Sequence, residues 1–254
     1  MMNLFDIKGK KALITGATRG LGKGMAEALM ENGAETVIGG TNENVVAELA
    51  EGYRNQGHAC HPLAINLADK ENRRLAFAKG LDMLGGRIDI LVNAAGIQRR
   101  NPCEEFTMED WEDVIQVNLT SVFDMCQMAG RAMIAQGGGK IINIASMLTF
   151  FGGFTVPAYA ASKGGVGQLT KALSNEWASK NIQVNALAPG YMATDMNTAL
   201  LADEGRNKEI IARIPAKRWG NGDDMKGPLL FLASHASDYM SGAVIPVDGG
   251  YLNR

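Results

Sequence analysis

Along almost the whole chain, short runs rich in β-branched and aliphatic residues alternate with longer stretches whose apolar positions recur every three or four residues. The short runs, at 11–15, 36–40, 58–65, 89–93, 140–144, 182–188 and 243–247, predict seven strands. The longer stretches, at 20–32, 45–56, 70–83, 111–135, 159–179 and 223–232, predict helices, with Asn32-Gly33 and Gly85-Gly86 as stops. Strand followed by helix, repeated, predicts an α/β fold: a single Rossmann-type doubly wound domain over 1–254, its seven-stranded parallel sheet carrying helices on both faces. The rhythm breaks once. At 189–218, a stretch with helical pieces around 194–202 and 207–213 precedes the next helix, and an insertion of that length predicts a lid or substrate loop.

Composition narrows the function classes. A chain of 254 residues suits one folding unit, and 25 Lys+Arg against 27 Asp+Glu, without a long like-charge block, argues against nucleic acid or an anionic membrane as partner. Lys8, Lys10 and Lys11 near the start are not followed by an apolar stretch of signal-peptide length, and no apolar run approaches the roughly 20 residues of a membrane span. Cys60, Cys103 and Cys126 are odd in number and far apart, which predicts reduced thiols in a cytoplasm. Glycine, 31 of 254 or about 12% against about 7% on average, is the compositional oddity.

Some of that glycine sits where a ligand approaches. The first strand runs straight into Gly16-Ala-Thr-Arg-Gly20-Leu-Gly22, and an amphipathic helix follows. Gly16 suits the tight turn, Gly20 a close approach to a pyrophosphate and Gly22 helix–strand packing, while the helix N-terminus favours negative charge. At the end of the second strand, where an NAD site often carries an acid, the chain reads Gly40-Thr41-Asn42. No carboxylate there repels a 2′-phosphate, and Arg19 is placed to pair with one, which tilts the site toward NADP. Thr41 and Asn42 are equally able to hydrogen-bond a plain ribose, so both NAD and NADP stay open.

Tyr159 and Lys163 stand four apart on a predicted helix and so share a face, and Ser146 closes the fifth strand at the sheet's carboxyl edge. The three can converge on one carbonyl. A free tyrosine, with a pKa of about 10, is too weak a base at neutral pH, but a neighbouring ammonium and a positive nicotinamide lower it. Tyr159 is then the general acid/base, Ser146 the donor to the substrate oxygen and Lys163 a holder of the ribose.

Together, Thr15-Gly-x-x-x-Gly-x-Gly22, Asn93-Ala-Ala-Gly96, Asn118, Ser146, Tyr159-x-x-x-Lys163 and Pro189-Gly190-x-x-x-Thr194 resemble the short-chain dehydrogenase/reductase family in order and spacing over essentially the whole chain. The resemblance implies a cofactor running along Gly16, Thr18, Arg19, Gly20, Leu21, Gly22, Thr41, Asn66, Leu67, Asn93, Ala94 and Gly96. It also implies cofactor contacts at Tyr159, Lys163, Pro189, Gly190, Met192 and Thr194, the last at the nicotinamide carboxamide. It further implies that Asn118 anchors a water-linked proton relay to Lys163, and that the protein is a homotetramer. Independently, Asn118 suits a helix interior poorly, which predicts a locally bent helix there. Two departures stand out: Ala94 where the family often has a second Asn, and Asn66 where it often has Asp near the adenine. Asn66 keeps an acceptor oxygen, which predicts altered cofactor affinity rather than loss.

Within the family, Gly96-Ile-Gln-Arg-Arg100, Ala145-Ser-Met147, Ala188-Pro-Gly-Tyr-Met-Ala-Thr194, Arg218-Trp-Gly220 and Ala236-Ser-Asp-Tyr239 look like the group acting on gluconate and deoxy-gluconate acids. The substrate class expected is therefore a sugar acid, with Arg99, Arg100, Met147, Tyr191 and Arg218 as candidate contacts; arginine forks suit a carboxylate. A 3-oxoacyl or other carbonyl reductase is the alternative enzyme. A dinucleotide-binding protein without chemistry is the alternative of another class, and the Asn118, Ser146, Tyr159 and Lys163 set speaks against it. His58-Ala-Cys60-His61 is not expected to bind metal, because in a strand His61 faces away from His58 and Cys60. The Asn118-Leu-Thr120 sequon lacks a secretory context, and Met125, Met128 and Met133 read as core filler.

Overall fold

The computed structural model describes residues 3–253; Met1 and Met2, at the start of the stretch read for a targeting signal, and Arg254 lie outside the described residues. Among the described residues seven strands form one parallel sheet, in the order β3-β2-β1-β4-β5-β6-β7. They are β1 (Lys11–Thr15), β2 (Glu35–Gly40), β3 (Cys60–Ala64), β4 (Ile90–Asn93), β5 (Gly139–Ile144), β6 (Ile182–Pro189) and β7 (Val244–Val247). The order reverses between β1 and β4, where Leu13 pairs with Leu91, and doubly wound sheets open their ligand crevice at the carboxyl ends of such a pair.

The period of two along each strand sorts side chains to two cores. Ala12, Ile14, Ile90 and Val92 face α1 (Gly20–Glu31), α2 (Glu43–Asn55) and α9 (Lys226–Ala233), meeting Met25, Leu29, Ala50 and Leu229. Leu13, Leu91, Ile141 and Val184 face α3 (Lys70–Met83), α5 (Ser121–Gln136) and α6 (Pro157–Trp177), meeting Phe77, Met125, Met133 and Leu173. Leu91 is fully buried, and its truncation to Ala should cost about 2–5 kcal/mol. Among the described residues no helix is long and apolar enough to cross a membrane.

The structure departs from the predicted boundaries in places that have physical causes. The single helix expected over 111–135 is α4 (Met108–Ile115), a π-helical turn over Gln116–Thr120, and α5. Asn118 sits in that turn, as the bend expected there requires, because its amide is drawn into bonds outside the helix. The strand expected from 58 starts at Cys60, since the His58 N–H is spent on the carbonyl of Tyr53 at the end of α2. The helix expected from 223 opens with a short 3-10 turn, and Pro228 falls in the first turn of α9, where its missing N–H costs nothing. The long insertion carries α7 (Thr198–Ala202) and α8 (Glu204–Arg213). Ile210 and Ile214 from it pack on Met147 and Tyr251, forming a small third cluster.

Candidate active site

The turn after β1 is shaped by what glycine omits. Gly16 has φ +68°, and a Cβ there would lie 2.6 Å from the Ala95 Cα; one on Gly22 would land on the Gly16 carbonyl. Thr18 packs over Gly40, where a Cβ would come within 2.6 Å of its methyl. Leu21 is partly buried against the first core. Helices α2, α3 and α4 have their first turns capped by the side chains of Asn42, Asp69 and Thr107, whereas α1, like α6 and α9, has neither a capping side chain nor an acid in its first turn, and of these α1 is the one that follows the glycine turn of β1. Its leading N–H groups and dipole are thus left for an anion at the crevice, which fits a dinucleotide's pyrophosphate. Across the crevice stands Thr194, whose methyl lies 3.5 Å from where a Cβ of Gly20 would be.

Thr41 is exposed at the end of β2, and Asn42 is committed to the Val45 N–H at 3.2 Å. Arg19 pairs with Asp195 at 3.3 Å across the mouth, but both are open to water (78% and 70% exposed), so the pair is weak and exchangeable. The Asn66 Oδ1 accepts the Ala68 N–H at 3.1 Å, so the acceptor oxygen noted in the sequence is engaged by its own turn. The Leu67 carbonyl is held by Arg73 at 2.6 Å; this arginine, 2% exposed on α3, also pairs with Asp124 at 3.0 Å. Sequence reasoning missed Arg73. Its signal is an arginine in the same helical row as Phe77, one turn on.

At the exit of β4, Asn93 turns its side chain into the core, donating to Asn143 Oδ1 at 2.9 Å and contacting Cys126 Sγ at 3.3 Å. Burial drives the Cys126 thiol pKa up to about 12, so that thiol is inert. Ala94 packs on the first core. Asn118, fully buried, grips the Ile97 peptide from both sides, accepting its N–H at 2.8 Å and donating to its carbonyl at 2.9 Å, and reaches Ser162 Oγ at 3.3 Å. A Cβ on Gly96 would sit 3.4 Å from Asn118 Oδ1 and 3.7 Å from Lys163 Nζ, so the β4 turn, the π-helical turn and α6 meet at one point.

Ser146, Tyr159 and Lys163 also meet. Pro157 opens α6 with φ preset for the helix, and Tyr159 and Lys163 follow on one face. The Lys163 Nζ donates to the Ile144 carbonyl at 2.6 Å and lies 5.6 Å from the Tyr159 ring centroid. Burial lowers the Lys163 pKa to about 8. Tyr159 is pushed upward by burial and pulled back by the Ser146 hydroxyl, with burial prevailing. The lowering predicted from the ammonium does not offset burial in the protein alone.

The candidate substrate residues divide. Met147 and Tyr191 line the third cluster, where Tyr191 meets Trp219 and Tyr251 edge-on, each at 5.3 Å. Pro189 ends β6; the Gly190 N–H bonds the Val247 carbonyl at 2.9 Å, and Met192 bridges to Gly220. Arg99 pairs with Asp110 and Asp113 at 3.2 and 3.3 Å, and Arg218 forks onto Asp224. Among the described residues Arg100 bonds only the Phe154 carbonyl and Thr155 Oγ1, at 3.4 and 3.1 Å. Sequence reasoning missed Arg213. Its guanidinium lies 4.7 Å from the Tyr251 ring centroid and, among the described residues, meets no carboxylate.

A helix start kept bare for an anion, next to a phenol flanked by a hydroxyl and an ammonium, defines the class as a dinucleotide-dependent oxidoreductase. A family model described as short chain dehydrogenase matches residues 10–205. The chain is 49% identical over 255 residues to the 2-dehydro-3-deoxy-D-gluconate 5-dehydrogenase of Dickeya dadantii, with 100% of each covered. It is 39% identical over 251 residues to the gluconate 5-dehydrogenase of Gluconobacter oxydans, covering 98% of this chain and 96% of that one. The crystal structure of a gluconate 5-dehydrogenase from Burkholderia cenocepacia, in complex with NADP and tartrate, matches with a TM-score of 0.95 at 43% identity, covering 99% of this chain and 98% of that one. This chain belongs to the short-chain dehydrogenase family.

Proposed function

We propose that this protein transfers a hydride between NAD(P) and a hydroxyl or keto carbon of a gluconate-type sugar acid. The observation that carries the reading is the meeting of Ser146, Tyr159 and Lys163 at the carboxyl edge beside the uncapped start of α1. The nicotinamide, when bound, supplies or accepts the hydride and brings a positive charge in its oxidised form. Gly16, Gly20 and Gly22 let the backbone approach the pyrophosphate, Arg19 and Thr41 face the adenosine ribose, and the Asn66-Leu67 turn borders the base. Pro189, Gly190, Met192 and Thr194 form the nicotinamide side. Tyr159 gives or takes the hydroxyl proton, Ser146 donates to the substrate oxygen, and Lys163 holds the phenol's field and the ribose. Asn118 anchors the proton route, a role its nearness to Lys163 through Gly96 supports.

The names of the relatives support the sugar-acid class. Of the arginines near the cleft, Arg100 and Arg213 lack a carboxylate partner among the described residues and are assigned to the substrate's acid group; Arg99 and Arg218 have to surrender an aspartate first. We assign the protein to the cytoplasm, where its unpaired cysteines stay reduced, and to a homotetramer, in which exposed Phe123, Phe150 and Phe154 gain cover. The test is a spectrophotometric screen of sugar acids with both cofactors, alongside amide and lactone forms. Equal rates on charged and uncharged forms would transfer the reading to a general carbonyl reductase. Turnover with none of them, while cofactor binds, would leave a binding protein.

A further inference from the structure

Lys163 is tied to the Ser146 turn at both of its ends. Its Nζ donates to the carbonyl of Ile144, two residues before Ser146, at 2.6 Å. Its main-chain carbonyl, one turn along α6 from Tyr159, accepts the Thr149 hydroxyl at 2.9 Å. Thr149 stands three residues after Ser146 and belongs to the same short turn. Within that turn the Ser146 Oγ accepts the Leu148 N–H at 3.2 Å, while Thr149 Oγ1 accepts the Ser146 N–H at 3.3 Å. One hydroxyl therefore takes a proton donor from the serine and gives its own proton to the lysine residue, using both capacities of an alcohol.

The opposite face is cut to receive it. A Cβ at Gly167, four residues after Lys163 on α6, would lie 2.5 Å from the Thr149 Cγ2, with nothing else closer than 3.9 Å. The notch left by Gly167 is what lets the threonine lie against the helix and reach the Lys163 carbonyl. Lys163 already satisfies that carbonyl within the helix through Gly167 in the ordinary i to i+4 manner, so helix formation does not require the bond from Thr149. What the bond fixes is distance: it sets the Ser146 turn against the turn of α6 that carries Tyr159 and Lys163.

We propose that Thr149, seated in the notch of Gly167, is the positioning residue that holds Ser146 in register with Tyr159 and Lys163. This rests on the acid–base reading of Tyr159 given above. The residue touches neither substrate nor cofactor in this role; it acts through Ser146 and through the helix. Misplacement of a reacting group by about 1 Å can cost on the order of 100-fold in rate, and Ser146 is also the group that opposes the burial of the Tyr159 phenol.

The test compares Thr149→Val, which keeps the shape and loses the hydroxyl, with Thr149→Ser, which keeps the hydroxyl and loses the methyl. Thr149→Val should lower kcat by roughly 10- to 100-fold with KM and the cofactor Kd within a few-fold, and should move the Tyr159 limb of the kcat/KM pH profile upward. The phenol pKa, followed by ultraviolet difference titration against the matching Tyr159→Phe background, should rise as well. Thr149→Ser should restore both. Gly167→Ala should resemble Thr149→Val because the new methyl meets Cγ2, and Thr149→Ser combined with Gly167→Ala should be more active than Gly167→Ala alone. Wild-type kcat and pH profile in Thr149→Val, or a Thr149→Ser no better than the valine variant, would overturn the proposal. If Thr149→Val fails to fold, the contrast between Gly167→Ala and the double variant decides the matter by itself. Tyr159→Phe keeps the two readings apart: activity there sinks the acid–base reading, whereas an inactive Tyr159→Phe beside an unimpaired Thr149→Val sinks only the role of Thr149.

Discussion

Arg218 closes a two-pronged ion pair on Asp224, with nitrogen–oxygen distances of 2.8 and 2.7 Å, so the fork that suits a substrate carboxylate is already filled from six residues away. The pair is local and exposed, and it raises the arginine's pKa and lowers the aspartate's through the hydrogen bond they share.

A consequence for specificity follows from that pairing. Arg218→Ala should change kcat/KM for a sugar acid only slightly, as the loss of exposed pairs does. Arg100→Ala or Arg213→Ala should cost on the order of 2–4 kcal/mol on the acid and little on its lactone or amide. Steady-state kinetics on matched charged and neutral substrates measures this; a larger loss at Arg218 than at either of the other two would move the carboxylate site to the Arg218 fork.

Cofactor choice turns on Arg19. Its partner Asp195, at 3.3 Å, already holds the guanidinium that we assign to a ribose phosphate, so the two would compete for it. Arg19→Ala should weaken NADP by roughly 10-fold, as loss of one charge-assisted bond does, and leave NAD nearly unchanged. Asp195→Asn should tighten NADP, since it frees Arg19 and removes a like charge. Fluorescence titration gives both affinities, and equal losses for NAD and NADP in Arg19→Ala would show that this residue does not read the 2′-phosphate.

Lys163 carries a pH dependence whose sign is set by burial. Its pKa falls to about 8 from an ordinary 10.5, so below the lower value both folded and unfolded chains hold the proton and the fold bears the full cost of a buried charge. Between about 8 and 10.5 the unfolded chain binds more protons, and the stability due to this group rises with pH. Relative to the wild type, the melting temperature of Lys163→Met without cofactor should therefore drop steadily across that window. A difference that stays flat in thermal melts would mean that Lys163 keeps its proton in the fold as firmly as in the unfolded chain, so that burial does not lower its pKa.

The strands and most helices were legible because the central strands of the parallel sheet are buried on both faces, which writes them as largely apolar runs such as Ile90 to Val92. The glycine loop and the Tyr159 and Lys163 spacing are local patterns and were legible for the same reason. What escaped depends on partners far along the chain. The bend at Asn118 was expected, but its form as a π-helical turn answers to Ile97, the role of Arg73 to Leu67 and Asp124, and the freedom of Arg213 to the ring of Tyr251. Thr149 sat in plain view as Ser146-Met-Leu-Thr149, the spacing of a capping box with threonine in place of the usual Glu or Gln, but its second bond to Lys163 exists only once the turn meets α6.

Arg73 joins stability to cofactor binding. Its guanidinium is 2% exposed and spans Asp124 on α5 and the carbonyl of Leu67, next to Asn66 in the turn that we assign to the adenine side of the cofactor. Arg73→Leu keeps much of the packing but strands the Asp124 carboxylate, which is only 19% exposed, and leaves the Leu67 carbonyl without this donor. The loss should be about 2–4 kcal/mol in stability. Arg73→Leu combined with Asp124→Leu should cost less than the sum of the single changes, because the second removes the charge the first leaves unpaired. Since Arg73 also fixes the Leu67 turn, the single variant should bind cofactor more weakly, and saturating cofactor should recover part of the melting temperature. Calorimetric melts with and without NADP, together with a cofactor titration, measure both effects. An unchanged cofactor Kd beside a lowered melting temperature would confine Arg73 to the core and detach the Asn66-Leu67 turn from the binding site.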